Sequence, residues 1–160
     1  MNPVQSRNIV VDTTVICSSG GTVHPVSRAC REALEAIKRI CHHVVSTPEI
    51  REEWRDHQSR YSSDWIVSMY SRKKVTPLNS VQSGDLSRAI ERSPMQPTDQ
   101  EIVEKDALII NAALASDMII VTQDGELQRA MAKYPRLASI ASRITWVNPE
   151  DDDPSIFENI

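Results

Sequence analysis

Acidic side chains belong on the surface of a folded chain, so the informative ones are those set among apolar neighbours. Four in this 160-residue sequence stand out. Asp12 ends the run Asn8-Ile9-Val10-Val11, and Asp124 follows the run Met118-Ile119-Ile120-Val121-Thr122 by two residues. Asp106 has Ile102 and Val103 one helical turn before it and Ile109 and Ile110 one turn after, which puts it in the middle of a buried helical stripe. A lone carboxylate there costs several kcal/mol or loses its charge; a cation, or an ion pair with Lys105 or an arginine, would hold it. The fourth comes from Glu49, Glu52 and Glu53. Advancing about 100° per residue from Ile50, Glu53 falls about 60° from the apolar direction, Glu49 about 100°, and Glu52 on the far side. Glu53 is therefore the inward candidate, Glu49 offsets a helix dipole in a first turn, and Glu52 faces water.

Carboxylates gathered at one place repel each other unless a divalent cation neutralises them. Oxygen donors without clustered His or Cys select Mg²⁺ or Mn²⁺ over Zn²⁺. Such a centre holds phosphate oxygens and activates water for in-line attack. For Asp12 and Asp124, capping of the following helix or turn is the alternative role.

The elements that must position these acids alternate along the chain. Asn8 to Asp12, His43 to Ser46, Met118 to Thr122 and Ile144 to Val147 read as buried strands, with a weaker strand near Val75. Helical spacing runs from Ser27 to Ile40, from the cap Thr47-Pro48 with breaks to Arg72, from Asp85 to Arg92, and from Glu126 to Lys133. Thr98-Asp99-Gln100-Glu101 reads as a capping box opening a helix that ends near Ala115. Strand and helix alternating in this way predict an α/β fold with a mostly parallel sheet covered on both faces. Asp12 and Asp124 then share the rim where such sheets bind ligands.

Length fits a single domain over residues 1–149, followed by an acid-rich tail over residues 150–160. Hydrophobic residues make up 40% and Gly plus Pro are few, which excludes disordered and collagen-like classes. Cys17, Cys30 and Cys41 form no disulfide framework, and Asp12 interrupts the one apolar run near the start, so a cytoplasmic protein without a signal peptide is expected. The longest uncharged apolar run, Ala107 to Ser116, is half of the roughly 20 residues a membrane crossing needs. Net charge is −4, yet five of the 22 acids lie in residues 150–160, so the remainder is close to neutral and nucleic acid stays open as a partner. Arg51, Arg55, Arg72, Lys73 and Lys74 are the candidate phosphate contacts.

The segments NIVVDTTVI, STPEIREEW and EKDALIINAALASDMIIVTQDGEL resemble the PIN-domain nucleases. The last is the most specific, with D-A-x-I followed by A and then I-V-T-x-D. The resemblance covers residues 8–149, including a final strand before Asn148-Pro149. It implies a three-layer αβα fold, one or two Mg²⁺ or Mn²⁺ ions, and cleavage of single-stranded RNA. Carried over, the acids are Asp12, Glu53, Asp106 and Asp124, with Thr122 as a supporting hydroxyl. Family members commonly read Asp-Thr-Asn after the first strand; here it is Asp12-Thr13-Thr14, so the hydroxyl of Thr14 replaces an amide and altered activity is expected. Residues 61–96 are longer than in compact members. Proteins of this type and size include toxins held by an antitoxin, which adds an antitoxin and a homodimer to the partners to consider.

Other signals carry less. Cys41-His42-His43 with His57 lacks the second ligand pair of a zinc site, and Gly20-Gly21 lacks the Gly-Lys-Ser/Thr ending of a phosphate loop. Cys17 has no His–Asp spacing that would make it a nucleophile. A receiver-type signalling domain would need an acidic pair after the first strand, which is absent. The alternative to a ribonuclease is a catalytically weak PIN-fold RNA-binding or scaffold protein, for which Thr14 leaves room.

Overall fold

Five short runs of mostly β-branched residues lie side by side, joined by helical crossovers that force every strand to point the same way. A computed structural model describes residues 3–80 and 82–160. In chain order the elements are β1 (Asn8–Val11), α1 (Thr13–Ser18), α2 (Pro25–Arg39), β2 (His43–Ser46), α3 (Pro48–His57), α4 (Arg60–Ser71), β3 (Val75–Pro77), α5 (Gly84–Arg92), α6 (Pro97–Lys105), α7 (Ala107–Leu114), β4 (Ile119–Val121), α8 (Gly125–Ala132), α9 (Pro135–Ser142), β5 (Thr145–Val147) and a 3₁₀ helix at Pro154–Glu158. The sheet order is β3-β2-β1-β4-β5, all parallel. Helices α2, α4 and the 3₁₀ helix pack together, while α5, α6, α8 and α9 form a second group and α7 lies on β1 and β4. This is a three-layer αβα arrangement.

The central strands are apolar on both faces because both are covered. Ile9, Val10, Val11, Ile119, Ile120 and Val121 are all within 2% of complete burial. Order reverses between β1 and β4, where Val10 pairs with Ile120 and Val11 with Val121. In open parallel sheets the crevice beyond the strand ends at such a reversal is the usual ligand position.

Three local features differ from the sequence expectation. The helix before β4 opens at Pro97 with Gln96 as its cap, not at a Thr98 capping box. Asp99 is instead drawn inward, accepting from Tyr134 Oη at 2.6 Å and Lys133 Nζ at 3.0 Å, which ties α6 to α8 and the start of α9. That helix also does not run through to Ala115: it breaks at Asp106 (φ −102°, ψ 10°), which ends α6 and begins α7. Asp has a weak helix preference, and its carbonyl still receives the Ile109 and Ile110 amides, so the backbone bends without losing its bonds. Helices α1 and α9 lie where no helical spacing was legible.

The amino-terminal rim of the sheet is built by two matching turns. Helices α2 and α4 are each followed, two residues on, by a residue with left-handed backbone, Cys41 (φ 68°) and Lys73 (φ 57°). In each, two amides reach back, Cys41 to Lys38 and His42 to Ile37, Lys73 to Tyr70 and Lys74 to Met69, satisfying the last carbonyls. His42 is fully buried behind the first turn. Its Nδ1 accepts from the Arg7 amide at 3.0 Å, so Nε2 carries the proton and donates to the Phe157 carbonyl at 2.7 Å. Residues 150–160 therefore do not simply trail away: Glu150, Asp151, Asp153 and Glu158 are exposed as a solvated segment would be, while Phe157 is 1% exposed and packs the 3₁₀ helix against α2. Among the described residues no helix is long and apolar enough to cross a membrane.

Candidate active site

The first acid is positioned by the sheet itself. The Asp12 amide donates to Val121 O at 2.9 Å, which extends the β1–β4 pairing one residue beyond the strand and points the side chain over the order reversal. Its Oδ2 accepts from Thr122 Oγ1 at 2.7 Å and Thr14 Oγ1 at 3.1 Å. Both hydroxyls are fixed in turn, Thr122 by the Asp124 amide at 2.9 Å and Thr14 by the Gln123 amide at 3.4 Å. Although Asp12 is the first cap residue of α1, its side chain makes no capping bond. Burial raises the Asp12 pKa above its ordinary value, opposed by the Thr122, Thr14 and Thr13 hydrogen bonds and reinforced by Asp124.

Glu53 reaches the same place from α3. That helix starts at Pro48, capped by Thr47 Oγ1 accepting from the Ile50 amide at 3.2 Å. One residue past Glu53, buried Trp54 donates its indole N–H to Val11 O at 3.3 Å, which clamps α3 onto the end of β1. Glu53 Oε2 then accepts from Thr13 Oγ1 at 2.9 Å. Glu52 is exposed, and Glu49, also exposed, accepts from the Ser80 hydroxyl.

Asp106, at the α6–α7 junction, is partly buried and makes no side-chain hydrogen bond or ion pair among the described residues, Lys105 included. Its pKa is pushed up to about 6, by burial first and then by Asp12, with Asp124 and Glu53 adding and Lys105 opposing. Asp124 caps α8, its Oδ1 accepting from the Glu126 amide at 2.9 Å, so the capping role is real for this acid while it also borders the cleft.

Asp12, Glu53, Asp106 and Asp124 line one cleft of about 530 Å³. Four separate segments supply them: the end of β1, the middle of α3, the α6–α7 junction and the turn after β4. Sequence reasoning missed Thr13, which holds Glu53, and the cleft-lining roles of Lys105, His57 and Gln123. His57 was legible in principle, lying one helical turn beyond Glu53 on the same face.

The basic candidates do not gather there. Arg72, Lys73 and Lys74 precede β3 and so lie on the amino-terminal rim, opposite to the carboxyl-terminal rim that carries Asp12. Arg51 and Arg55 are exposed and do not line the cleft, because each is two residues from Glu53 and two residues turn a helix by about 200°.

Among the described residues no three His, Cys, Asp or Glu side chains are close enough to hold one ion between them. A cage of the zinc type is thus not preformed. Magnesium behaves differently: it keeps several waters and is commonly held by one or two carboxylates plus phosphate oxygens. The donor set fits that pattern, being all oxygen, with Asp12 oriented by two hydroxyls and the charge of Asp106 disfavoured by burial and then by its acidic neighbours. Comparison of the chain with protein-family models, curated proteins and solved structures finds no match.

Proposed function

We propose that this chain is a PIN-type, Mg²⁺- or Mn²⁺-dependent endoribonuclease that hydrolyses phosphodiester bonds of single-stranded RNA. The observation that carries this reading is the convergence of Asp12, Glu53, Asp106 and Asp124 on one cleft at the reversal of strand order. Asp12 and Asp106 would hold the ion, with Glu53 and Asp124 on the flanks. When bound, a divalent ion supplies charge neutralisation at the phosphate and a more acidic attacking water. Thr122 and Thr14 keep Asp12 in one orientation, Thr13 does the same for Glu53, Lys105 offers positive charge to phosphate oxygens entering the cleft, and His57 offers a ring nitrogen for hydrogen bonding there. The cytoplasm, an antitoxin partner and a homodimer remain part of this proposal.

A second reading, an RNA-binding or scaffold protein with weak catalysis, draws on Thr14. Its hydroxyl is already engaged by Asp12 and the Gln123 amide, so it has less to offer a water than a free amide would. Purified protein with Mn²⁺ and a pool of single-stranded RNAs separates the two. Cleavage that stops with EDTA and spares duplex DNA supports the nuclease, and Thr14→Asn should match or exceed wild type. Metal and RNA binding without cleavage, with Thr14→Asn restoring it, supports the scaffold. No cleavage by either variant rejects the enzyme.

A further inference from the structure

A second groove lies on the outer surface of the α5–α9 layer and shares no residue with the acidic cleft. Arg88 and Arg92 of α5 and Arg136 and Arg143 of α9 and its end line it, against the single acid Asp85. Asp85 is spent on Arg88 at 2.6 Å. Among the described residues Arg92, Arg136 and Arg143 make no ion pair, so three uncompensated guanidinium groups face one groove of about 470 Å³ in a chain whose net charge is −4. Arg136 also sits in the first turn of α9, where the helix dipole is already positive and a cation is unfavourable. Arg92 and Arg143 lie at helix carboxyl ends, where the dipole favours a cation, but three unpaired like charges in one groove of an acidic chain mark a surface whose partner is an anion.

From this we infer that the groove binds the phosphodiester backbone of nucleic acid, with RNA as the natural ligand if the nuclease reading above holds. Its floor selects phosphate over an acidic protein. Ala89 and Ile140 are 5% and 6% exposed, so little apolar area remains for the anchor side chains from which protein partners draw affinity. Among the described residues no aromatic side chain lines the groove, so it offers no stacking platform for bases. What remains is guanidinium, whose forked donors match phosphate oxygens, a contact that carries no sequence information.

The test is the binding of a labelled oligouridylate to the full chain in EDTA, where metal-dependent cleavage is silent. Three phosphate contacts predict a log–log salt slope of about −2, hence about a hundredfold weaker binding when salt rises tenfold. A triple variant, Arg92→Gln with Arg136→Gln and Arg143→Gln, should lose at least tenfold in affinity and most of that slope, with an unchanged melting temperature. If the triple variant melts early, Arg143→Glu alone carries the same test. Variants that bind RNA as wild type does, or a wild type that does not bind at low salt, overturn the proposal. Displacement of the RNA by polyglutamate at equal charge also overturns it and assigns the groove to an acidic protein. Cleavage with Mn²⁺ keeps the two readings apart. Without cleavage by any variant the nuclease fails while groove binding stands; cleavage of long RNA undiminished in a groove variant that binds normally leaves the nuclease and removes the groove.

Discussion

Replacing Asp106 by Asn should stabilise the metal-free protein, and the size of the gain follows from its surroundings. The carboxyl is raised from 3.8 to about 6 by burial and by Asp12, Asp124 and Glu53, so the folded state disfavours its ionised form. A raised carboxyl carries no penalty below the unfolded value of 3.8; the penalty grows as pH rises from there and is complete above about 6. That gap corresponds to about 3 kcal/mol at most, and water reaching this partly exposed group reduces it to about 1–2 kcal/mol. Nothing offsets the gain, because the Asp106 side chain makes no hydrogen bond among the described residues for Asn to lose. For a chain of this length the melting temperature at neutral pH in EDTA should rise by about 2–8 °C. The difference should vanish below about pH 4, where wild type is protonated and electrostatically equivalent to the variant. Millimolar Mn²⁺ should reverse the order, raising the wild type's melting temperature more than the variant's, because an ion that binds only the folded state adds stability by mass action. Equal melting temperatures in EDTA at neutral pH, or a variant less stable than wild type, would refute the account of Asp106 as a strained charge.

The remaining predictions concern the residues that build the cleft and its scaffold. Glu53→Gln should reduce Mn²⁺-dependent RNA cleavage by at least tenfold while Glu52→Gln changes it less than twofold, since only Glu53 lines the cleft; equal losses would count against the helix orientation. Trp54→Phe removes the indole bond to Val11 and leaves that carbonyl unpaired, so denaturant unfolding should show a loss of about 1–3 kcal/mol, with cleavage falling further than stability because α3 is released. Lys73→Gly should stabilise by about 1 kcal/mol in the same assay, because a non-glycine residue at φ 57° carries left-handed strain that glycine does not; destabilisation would show that the Lys73 side chain contributes more than its backbone costs.

The alternation of strand and helix was legible because it rests on local periodicity. Val10, Val11, Ile119 and Ile120 are runs of buried β-branched residues whatever their neighbours, and parallel pairing follows from the helices between them. Three of the four acids that line the cleft were legible for a related reason: Asp12 and Asp124 follow such runs, and Glu53 is inclined toward the apolar side of its helix. Tertiary structure decided the rest. Thr98 looked like a cap until Pro97 took the first turn and Tyr134 drew Asp99 inward, a partner 35 residues away that no local pattern announces. Asp106 looked like the middle of a stripe, and the break that sets it at a junction depends on how α6 and α7 pack separately. Arg72, Lys73 and Lys74, candidate phosphate contacts from the sequence, fall on the rim opposite the cleft because parallel strands send their two ends to opposite rims. The four-arginine groove is the clearest case. Arg88 and Arg92 are separated from Arg136 and Arg143 by more than 40 residues, each pair ordinary on its own exposed helix, and only the packing of α5 on α9 turns two solvated faces into one field. Charge is visible in a sequence, but the distance between charges is set by the fold.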